Sequence, residues 1–331
     1  SVYEYGADRG DEVIVPALSF IATSNAVLAA GLTPVFVDVE KETLNIDPSK
    51  IEEAITPKTR AIMVVHTMGR PCDMDSINEI AWKHNLLVFE DACEAHGASY
   101  NNKHVGNLSD GAAFSFYTAH LINCGEGGMV STNNDKVAKS VGSTRSHGRE
   151  EGSKYFNHLR VGYNSKMNDL EASIGLEGIS CFWDTFNKRH DFLIKLIEAM
   201  KPFEEFAWFS EEPESSVVCP HGFSITFKDG RYSNVWDLEG LQGMLNNNNI
   251  EWKRNFGCIP TQHKAYEFMN HELGDFPNSE YIGDYGIHIG THHYLSEEDQ
   301  NRIISVLVSF FEDLKNRKRS NKLSELEGDL L

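Results

Sequence analysis

Apolar and polar positions alternate in blocks along the first half of the chain. "DEVIVPALSF" is apolar and β-branched and predicts a strand. "IATSNAVLAAG" follows with helical spacing and closes at Gly31. "TPVFVDV" predicts the next strand, and "DPSKIEEAI" a helix with Asp47 as N-cap and Pro48 in its first position. "TRAIMVVHTMG", "MDSINEIAWKHN" and "LLVFEDA" continue as strand, helix and strand, and "GAAFSFYT" and "GGMVSTN" add two more strands. Strands alternating with helices imply an α/β fold with a mostly parallel sheet and helices on both faces. Ligands of such sheets bind beyond the carboxyl ends of the strands. The polar residues that follow the strands are therefore the first candidates: Ser19, His66, Asp91, Glu94 and His120.

From "LEASIGLEGI" onward the pattern is helical, and Trp183 to Met200 reads as one long helix. Strands are predicted at "SVVCPHGFSITFKD", "IEWKRNFG" and "YGIHIGT", with helices at "VWDLEGLQGMLNN" and "LSEEDQNRIISVLVSFFEDLKN". This divides the chain into a large domain over residues 1–182 and a long linking helix with a small α+β domain over 183–331. "NNNN" at Asn246 to Asn249 reads as a helix-ending loop, and the charged C-terminus as a frayed helix or tail. The first residues, "SVYEYGADRG", lack an initiator Met and resemble the end of a helix, so the chain is expected to be a fragment.

Charge narrows the partners. The formal net charge of −19 disfavours nucleic acid and anionic membrane surfaces, but leaves room for a locally positive pocket. No apolar run approaches the ~20 residues of a membrane span, and no secretory signal is visible. Cys72, Cys93, Cys124, Cys181, Cys219 and Cys258 are scattered without the paired spacing of zinc or iron–sulfur sites, which suits a reducing cytoplasm.

Several short segments carry candidate chemistry. Asp91 and Glu94 in "FEDACEAHG" follow a buried strand. A carboxylate there suits holding a pyridinium nitrogen protonated, or else an N-cap or a buried ion pair. Ser115, at a strand end, suits a phosphate oxygen. Gly125, Gly127 and Gly128 in "CGEGGMV" mark either a close approach to a ligand or a hairpin loop. Asn164 precedes a helix and reads as a ligand contact or a cap. His288, His292 and His293 lack an accompanying carboxylate pattern, so no metal site is assigned. Lys253 and Arg254, or Arg145 and Arg149, are candidates for a diphosphate or simply solvated charge.

In their order, these segments resemble the DegT/DnrJ/EryC1/StrS sugar aminotransferase family of pyridoxal-phosphate enzymes. The resemblance runs from "GDEVIVPALSFIATSNAVLAAGLTPVFVDVE" through "VVHTMGRPCDMDSI", "FEDACEAHGASY", "FSFYTAHLINCGEGGMVSTN", "RSHGRE" and "VGYNSKMNDLEASIGL" to "FPNSEYIGDYGIHIGTHHYLSEED". It implies a fold-type I architecture, a large domain with a seven-stranded type of sheet plus a small domain, working as a homodimer with a shared active site. It also implies roles by position. Asp91 would pair with the pyridine nitrogen, Glu94 would lie near the ring hydroxyl, and Phe20 would stack on the ring. Ser115 would hold the phosphate, and Asn164 would reach the phosphate of the neighbouring subunit. The family's Gly-Ser/Thr phosphate loop would precede Ser1, so this fragment is expected to bind cofactor poorly.

One position departs from the family pattern. Aminotransferases of the family carry the Schiff-base lysine where this chain has His120, and imidazole forms no stable imine with the cofactor aldehyde. Lys166 sits where the family usually has Arg and is not counted as a relocated anchor. Histidine at this position resembles the family's sugar 3-dehydratases. The iron–sulfur kind has closely spaced cysteines after an "RSHGR"-like segment; "RSHGREEGSKYFNHLRVGYN" has none, so no cluster is expected. The GDP-4-keto-6-deoxymannose 3-dehydratase branch has histidine and no cluster. The resemblance thus implies a pyridoxamine-phosphate-dependent dehydratase of a nucleotide-linked 4-keto-6-deoxy sugar, with L-glutamate as amino donor. An aminotransferase, or a non-catalytic sugar- or cofactor-binding sensor, are the alternatives.

Overall fold

The structure, a computed structural model, describes residues 2–228 and 235–328. The apolar runs of the first half lie side by side as β1 (Glu12–Pro16), β2 (Thr33–Val37), β3 (Thr59–Val65), β4 (Leu87–Asp91), β5 (Gly111–Ser115) and β6 (Gly128–Ser131). They form one six-stranded sheet in the order β2-β1-β3-β4-β5-β6. Neighbours pair in parallel up to β5, and β6 runs antiparallel to it. Where a sheet of the seven-stranded type was expected, the described residues supply these six strands. β1 reads as a continuous apolar run because it is covered on both faces, with Ile14 and Val15 fully buried.

Helix α1 (Ala22–Ala29) follows β1, and Gly31 supplies the left-handed φ of +77° that turns the chain into β2. α2 (Met74–His84) begins where the Asp73 side chain accepts from Ser76 N and ends at left-handed Asn85. The "DPSKIEEAI" segment differs from its prediction. It forms two 3₁₀ turns, Pro48–Lys50 and Glu52–Ala54, although Asp47 does cap the first. The stretch is too short to repay helix nucleation, and Pro57 biases the residue before it towards an extended backbone. α3 (Asp135–Arg145) was not foreseen, because "DKVAKSVGSTR" has too few apolar positions; Asn134 caps it through Lys136 N and Val137 N.

The second half builds an antiparallel sheet, β9-β10-β8-β7, from β7 (Ala207–Phe209), β8 (Gly222–Phe227), β9 (Trp252–Arg254) and β10 (Gly286–Gly290). α5 (Phe182–Met200), α6 (Val235–Asn247) and α8 (Glu297–Gly328) flank it. Phe192, Leu196, Phe223, Phe227, Leu241 and Phe311 make its core. The strand predicted over "SVVCPHGFSITFKD" splits, because Ser216–Val217 pairs with Ser99–Tyr100 and β8 starts only at Gly222. Between them, Cys219 N donates to Gly69 O. A Cβ on Gly69 would stand 2.2 Å from Cys219 O, so the two halves of the chain touch there at backbone distance.

Residues after β9 return to the first sheet: Cys258, Ile259, Tyr266 and Phe276 share a core with Val13, Val15 and Phe36. α7 (Pro277–Tyr285) is held to the end of β2 by one carboxylate. Buried Asp38 accepts from Asn278 N (3.0 Å), Ser279 N (2.8 Å) and Ser279 Oγ (2.6 Å), across 241 positions of sequence in the Ser279 case. A carboxylate at a helix N-terminus gains from both the free N–H groups and the helix dipole. Asp38→Asn is therefore expected to cost about 2 kcal/mol of stability, read as a lower urea midpoint at unchanged slope.

Candidate active site

The carboxyl edge of the sheet gathers side chains from β4, β5 and the loops that follow β1, β4 and β5. Asp91 ends β4. Its Oδ2 accepts from Thr23 Oγ1 at 2.7 Å, and its Oδ1 from Cys93 N at 3.3 Å. Ser19 Oγ lies 2.8 Å from Thr23 Oγ1 and extends this chain of hydroxyls. Phe20, next along, leaves 62% of its surface exposed and touches only the edge of the site, tilted against Phe256 at 6.3 Å. Ser115 ends β5, and its Oγ accepts from Tyr117 N at 3.2 Å, leaving its own hydrogen free to be donated.

The loop between β5 and β6 folds back on itself. Phe116 N donates to Gly127 O, Cys124 N to Phe116 O, and His120 N to Tyr117 O. Gly125 takes a φ of +89°, and a Cβ on Gly127 would meet Cys124 Sγ at 2.8 Å. The glycines thus shape the loop that presents His120. Ile122 N donates to His96 Nδ1 (3.3 Å), which pins the same loop to the segment after β4.

His120 lies among three aromatic neighbours: His221 at 5.4 Å between ring centroids, His96 at 5.9 Å and Tyr117 at 6.4 Å. Its Nδ1 is buried and has no hydrogen-bond partner among the described residues. Burial lowers the pKa of its imidazole; Asp91 opposes that shift and Arg189 adds to it. His120 is therefore held as a neutral base near pH 7. His96 is pushed down to about 4 by burial and by His120.

Glu94 is fully engaged. Its Oε2 accepts from Met68 N at 2.7 Å, and its Oε1 lies 3.3 Å from His221 Nε2. Burial and the charge of Asp91 push its carboxyl up to about 7, against the Met68 hydrogen bond. A carboxyl raised in the folded state contributes stability that is complete below its unfolded value and is lost as pH rises through its folded value. Glu94→Gln keeps an acceptor for Met68 N and removes the ionisation. The variant is expected to gain on the wild type between about pH 5 and about pH 8 in urea unfolding; a gap that does not change with pH would contradict this placement.

The structure separates other candidates from this group. His66 is fully buried, 3.0 Å from Glu90 Oε2, and its Nδ1 accepts from Cys72 N, so it belongs to the core. Asn164 lies on an exposed segment, bridged to Ser146, where its Oδ1 accepts from Lys166 Nζ at 2.7 Å. The next helix, α4 (Asp169–Ser180), is capped by Asn168 and not by Asn164. Arg254 donates to Gly283 O and Asp284 O, and Lys253 lies 3.9 Å from Glu251. Arg149 rests over Phe156, and Arg145 closes α3. His292 stacks on His293 at 4.5 Å, and His288 lies 3.3 Å from Asn255 Oδ1. Among the described residues, no three His, Cys, Asp or Glu side chains are arranged to hold a metal ion.

Three residues escaped the sequence reading. Thr23 and Arg189 carry no local signal, since each acts through a distant partner. His221 comes from the second half of the chain, and "CPHGF" gives no hint that its ring meets His120.

Residues 2–308 match the DegT/DnrJ/EryC1/StrS aminotransferase family. The chain belongs to that family. Its fold is that of the family's fold-type I pyridoxal-phosphate enzymes, and the solved structures agree. An aminotransferase from Psychrobacter cryohalolentis superposes with a TM-score of 0.85 at 27% identity, over 95% of this chain and 84% of that one. The dTDP-3-amino-3,6-dideoxy-alpha-D-galactopyranose transaminase of Aneurinibacillus thermoaerophilus is 36% identical over 92% of this chain and 80% of its own length. The GDP-perosamine synthase of Caulobacter vibrioides is 48% identical, but over 52% of this chain, which spans 46% of that protein. The dTDP-4-dehydro-2,6-dideoxy-D-glucose 3-dehydratase of Saccharopolyspora spinosa is 32% identical over 91% of this chain and 70% of its own length. Among the described residues, no helix of this DegT-family chain is long and apolar enough to cross a membrane, and its six cysteines are free.

Proposed function

We propose that this protein removes the C3 hydroxyl of a nucleotide-linked 4-keto-6-deoxy sugar, using pyridoxamine phosphate as cofactor. One observation carries the reading: the half-buried imidazole of His120, whose Nδ1 has no partner among the described residues, stands in the loop after β5 within reach of the charge of Asp91, at the position to which the resemblance assigns the aminotransferases' lysine.

The side chains present fit the cofactor. Asp91 is fixed by Thr23 and Cys93 N and suits a pyridine nitrogen. Phe20 offers an open ring face, and Ser115 has a hydroxyl to donate to a phosphate. When bound, the cofactor supplies an amine for the sugar ketone and a ring that stores an electron pair. His120, neutral near pH 7, takes a proton from carbon and gives it to the leaving hydroxyl, which departs as water with cleavage of the C3–O bond. Asp91 keeps the ring nitrogen protonated throughout, and the same charge steadies His120 while it holds the proton. L-Glutamate is the proposed amino donor that restores the amine form. The nucleotide, GDP, CDP or dTDP, is not chosen by these residues.

A homodimer with a shared site is part of this proposal. α4 buries none of its residues among the described ones, and Leu159, Val161, Leu170, Ile174, Leu176 and Ile179 are all exposed. An apolar stretch of that extent favours burial against another protein surface; Asn164 lies within it, and the proposal assigns it to a second copy's phosphate.

An aminotransferase is the second reading, favoured by the transaminase relative. The two differ in how the cofactor is held. An aminotransferase of this family keeps its cofactor on a lysine, so borohydride fixes the cofactor to the chain. The full-length protein, loaded with pyridoxal phosphate, reduced and weighed intact, is expected to show no added cofactor mass. An adduct, on Lys166 or any other lysine, would overturn the dehydratase reading.

A further inference from the structure

Three buried imidazole nitrogens in this site have no hydrogen-bond partner among the described residues: Nδ1 of His120, Nδ1 of His221 and Nε2 of His96. The His221 ring is the nearer of the two to His120, 5.4 Å between centroids at 36° between planes, against 5.9 Å for His96. Leaving buried ring nitrogens unpaired is costly. At that ring separation a single bridging water is the kind of group that would pair the nitrogens of His120 and His221.

His221 is also the more firmly placed of the two. It is buried to the extent that its ring charges only well below the usual range, by burial first and then by His120, Arg189, His288 and His96. Its Nε2 lies 3.3 Å from Glu94 Oε1, and the other oxygen of that carboxyl is taken by Met68 N. Its carbonyl accepts from Nη2 of Arg189, a buried guanidinium on α5. Its neighbour Pro220 offers its carbonyl to Thr291 Oγ1. Elements from both sheets thus converge on one imidazole that stands beside His120 and carries no assigned role of its own.

We propose that His221, braced by Glu94 and Arg189, is a positioning residue that fixes the orientation and tautomer of His120. With Glu94 ionised and accepting from Nε2–H, His221 presents an accepting Nδ1 towards His120; the His120 nitrogen on that side then carries the proton, and the opposite one is left as the free base. The arrangement is a carboxyl, an orienting ring and a working ring in series, which sets which nitrogen of the last ring carries the proton. Loss of the partner that orients a metal-ligating histidine costs on the order of tenfold to a hundredfold, and a loss of the same order is expected here. This inference rests on His120 being the working base of the proposed dehydration.

The test has two arms, so that failure of the inference and failure of the proposed function are distinguishable. In the first, isotope-labelled histidine NMR of the folded full-length protein, with no substrate present, reports the tautomer of His120, assigned by its loss in His120→Asn. One tautomer is expected in the wild type and a mixture in His221→Phe. In the second, turnover is compared among His221→Asn, His221→Gln and His221→Phe. Asn places an amide near Nδ1 and Gln near Nε2, so Asn is expected to recover most of the kcat lost in Phe, and Gln little, with KM unchanged in all three. An unchanged His120 tautomer in a folded His221→Phe, or rates that follow thermal stability and not the position of the amide, would overturn the inference. A wild type that makes no dehydrated product would overturn the proposed function, while the NMR arm would still decide whether His221 orients His120.

Discussion

His120→Asn is expected to lower dehydration kcat on the order of a hundredfold to ten-thousandfold, with the fold and sugar binding kept. Asparagine is polar and close in size, and the imidazole it replaces makes no direct hydrogen bond through Nδ1 among the described residues, while the asparagine amide offers His221 a polar group in its place. What disappears is the group that accepts the proton from carbon and returns it to the leaving hydroxyl. The expected signature is a fall in kcat with KM little changed, since the lost interaction is made chiefly while the proton moves. Circular dichroism and thermal melts separate this from unfolding. A variant that retains wild-type turnover would remove His120 from the chemistry.

Asp91→Asn is expected to produce the other large loss, on the order of a hundredfold to a thousandfold, as when a preorganised electrostatic group is removed from a site. The side chain is anchored from two sides, by Thr23 Oγ1 and by Cys93 N. An asparagine oxygen can keep one of these contacts, so the site stays in place while its charge vanishes. The consequence reaches His120 as well. Asp91 is the group that raises the His120 pKa against burial. Without that charge, His120 is harder to protonate, and the acid limb of its pH profile moves to lower pH. A kcat loss accompanied by that shift identifies an electrostatic role; a loss without it would mean that Asp91 acts on the cofactor alone.

The sequence and the structure agree most closely where the physics is local. The apolar runs of β1 and β3 are legible because parallel strands covered on both faces have no polar alternation. Asp91, Ser115 and His120 could be singled out because they follow strands, and a parallel sheet directs such residues to one edge. The limits are equally physical. His66 also follows a strand, yet its ring turns inward to Glu90, which no spacing rule foretells. Glu94 was read as a contact for a ring hydroxyl, whereas both its oxygens face protein groups, Met68 N and His221. That pairing joins residues more than a hundred positions apart, brought together where Gly69 and Cys219 meet. α3 was missed because its stability comes from an Asn134 cap and from packing, with too few apolar residues to set a period.

The central claim is that His120 converts an aminotransferase scaffold into a dehydratase. The measurement that tests it most directly is the mass of the product. The full-length protein would be given pyridoxal phosphate, glutamate and a panel of nucleotide-linked 4-keto-6-deoxy sugars. A product that has lost the C3 oxygen and kept a carbonyl at C4, absent with His120→Asn, is the predicted result. A product that keeps the C3 oxygen and carries an amine at C4 would contradict the account and identify the protein as an aminotransferase.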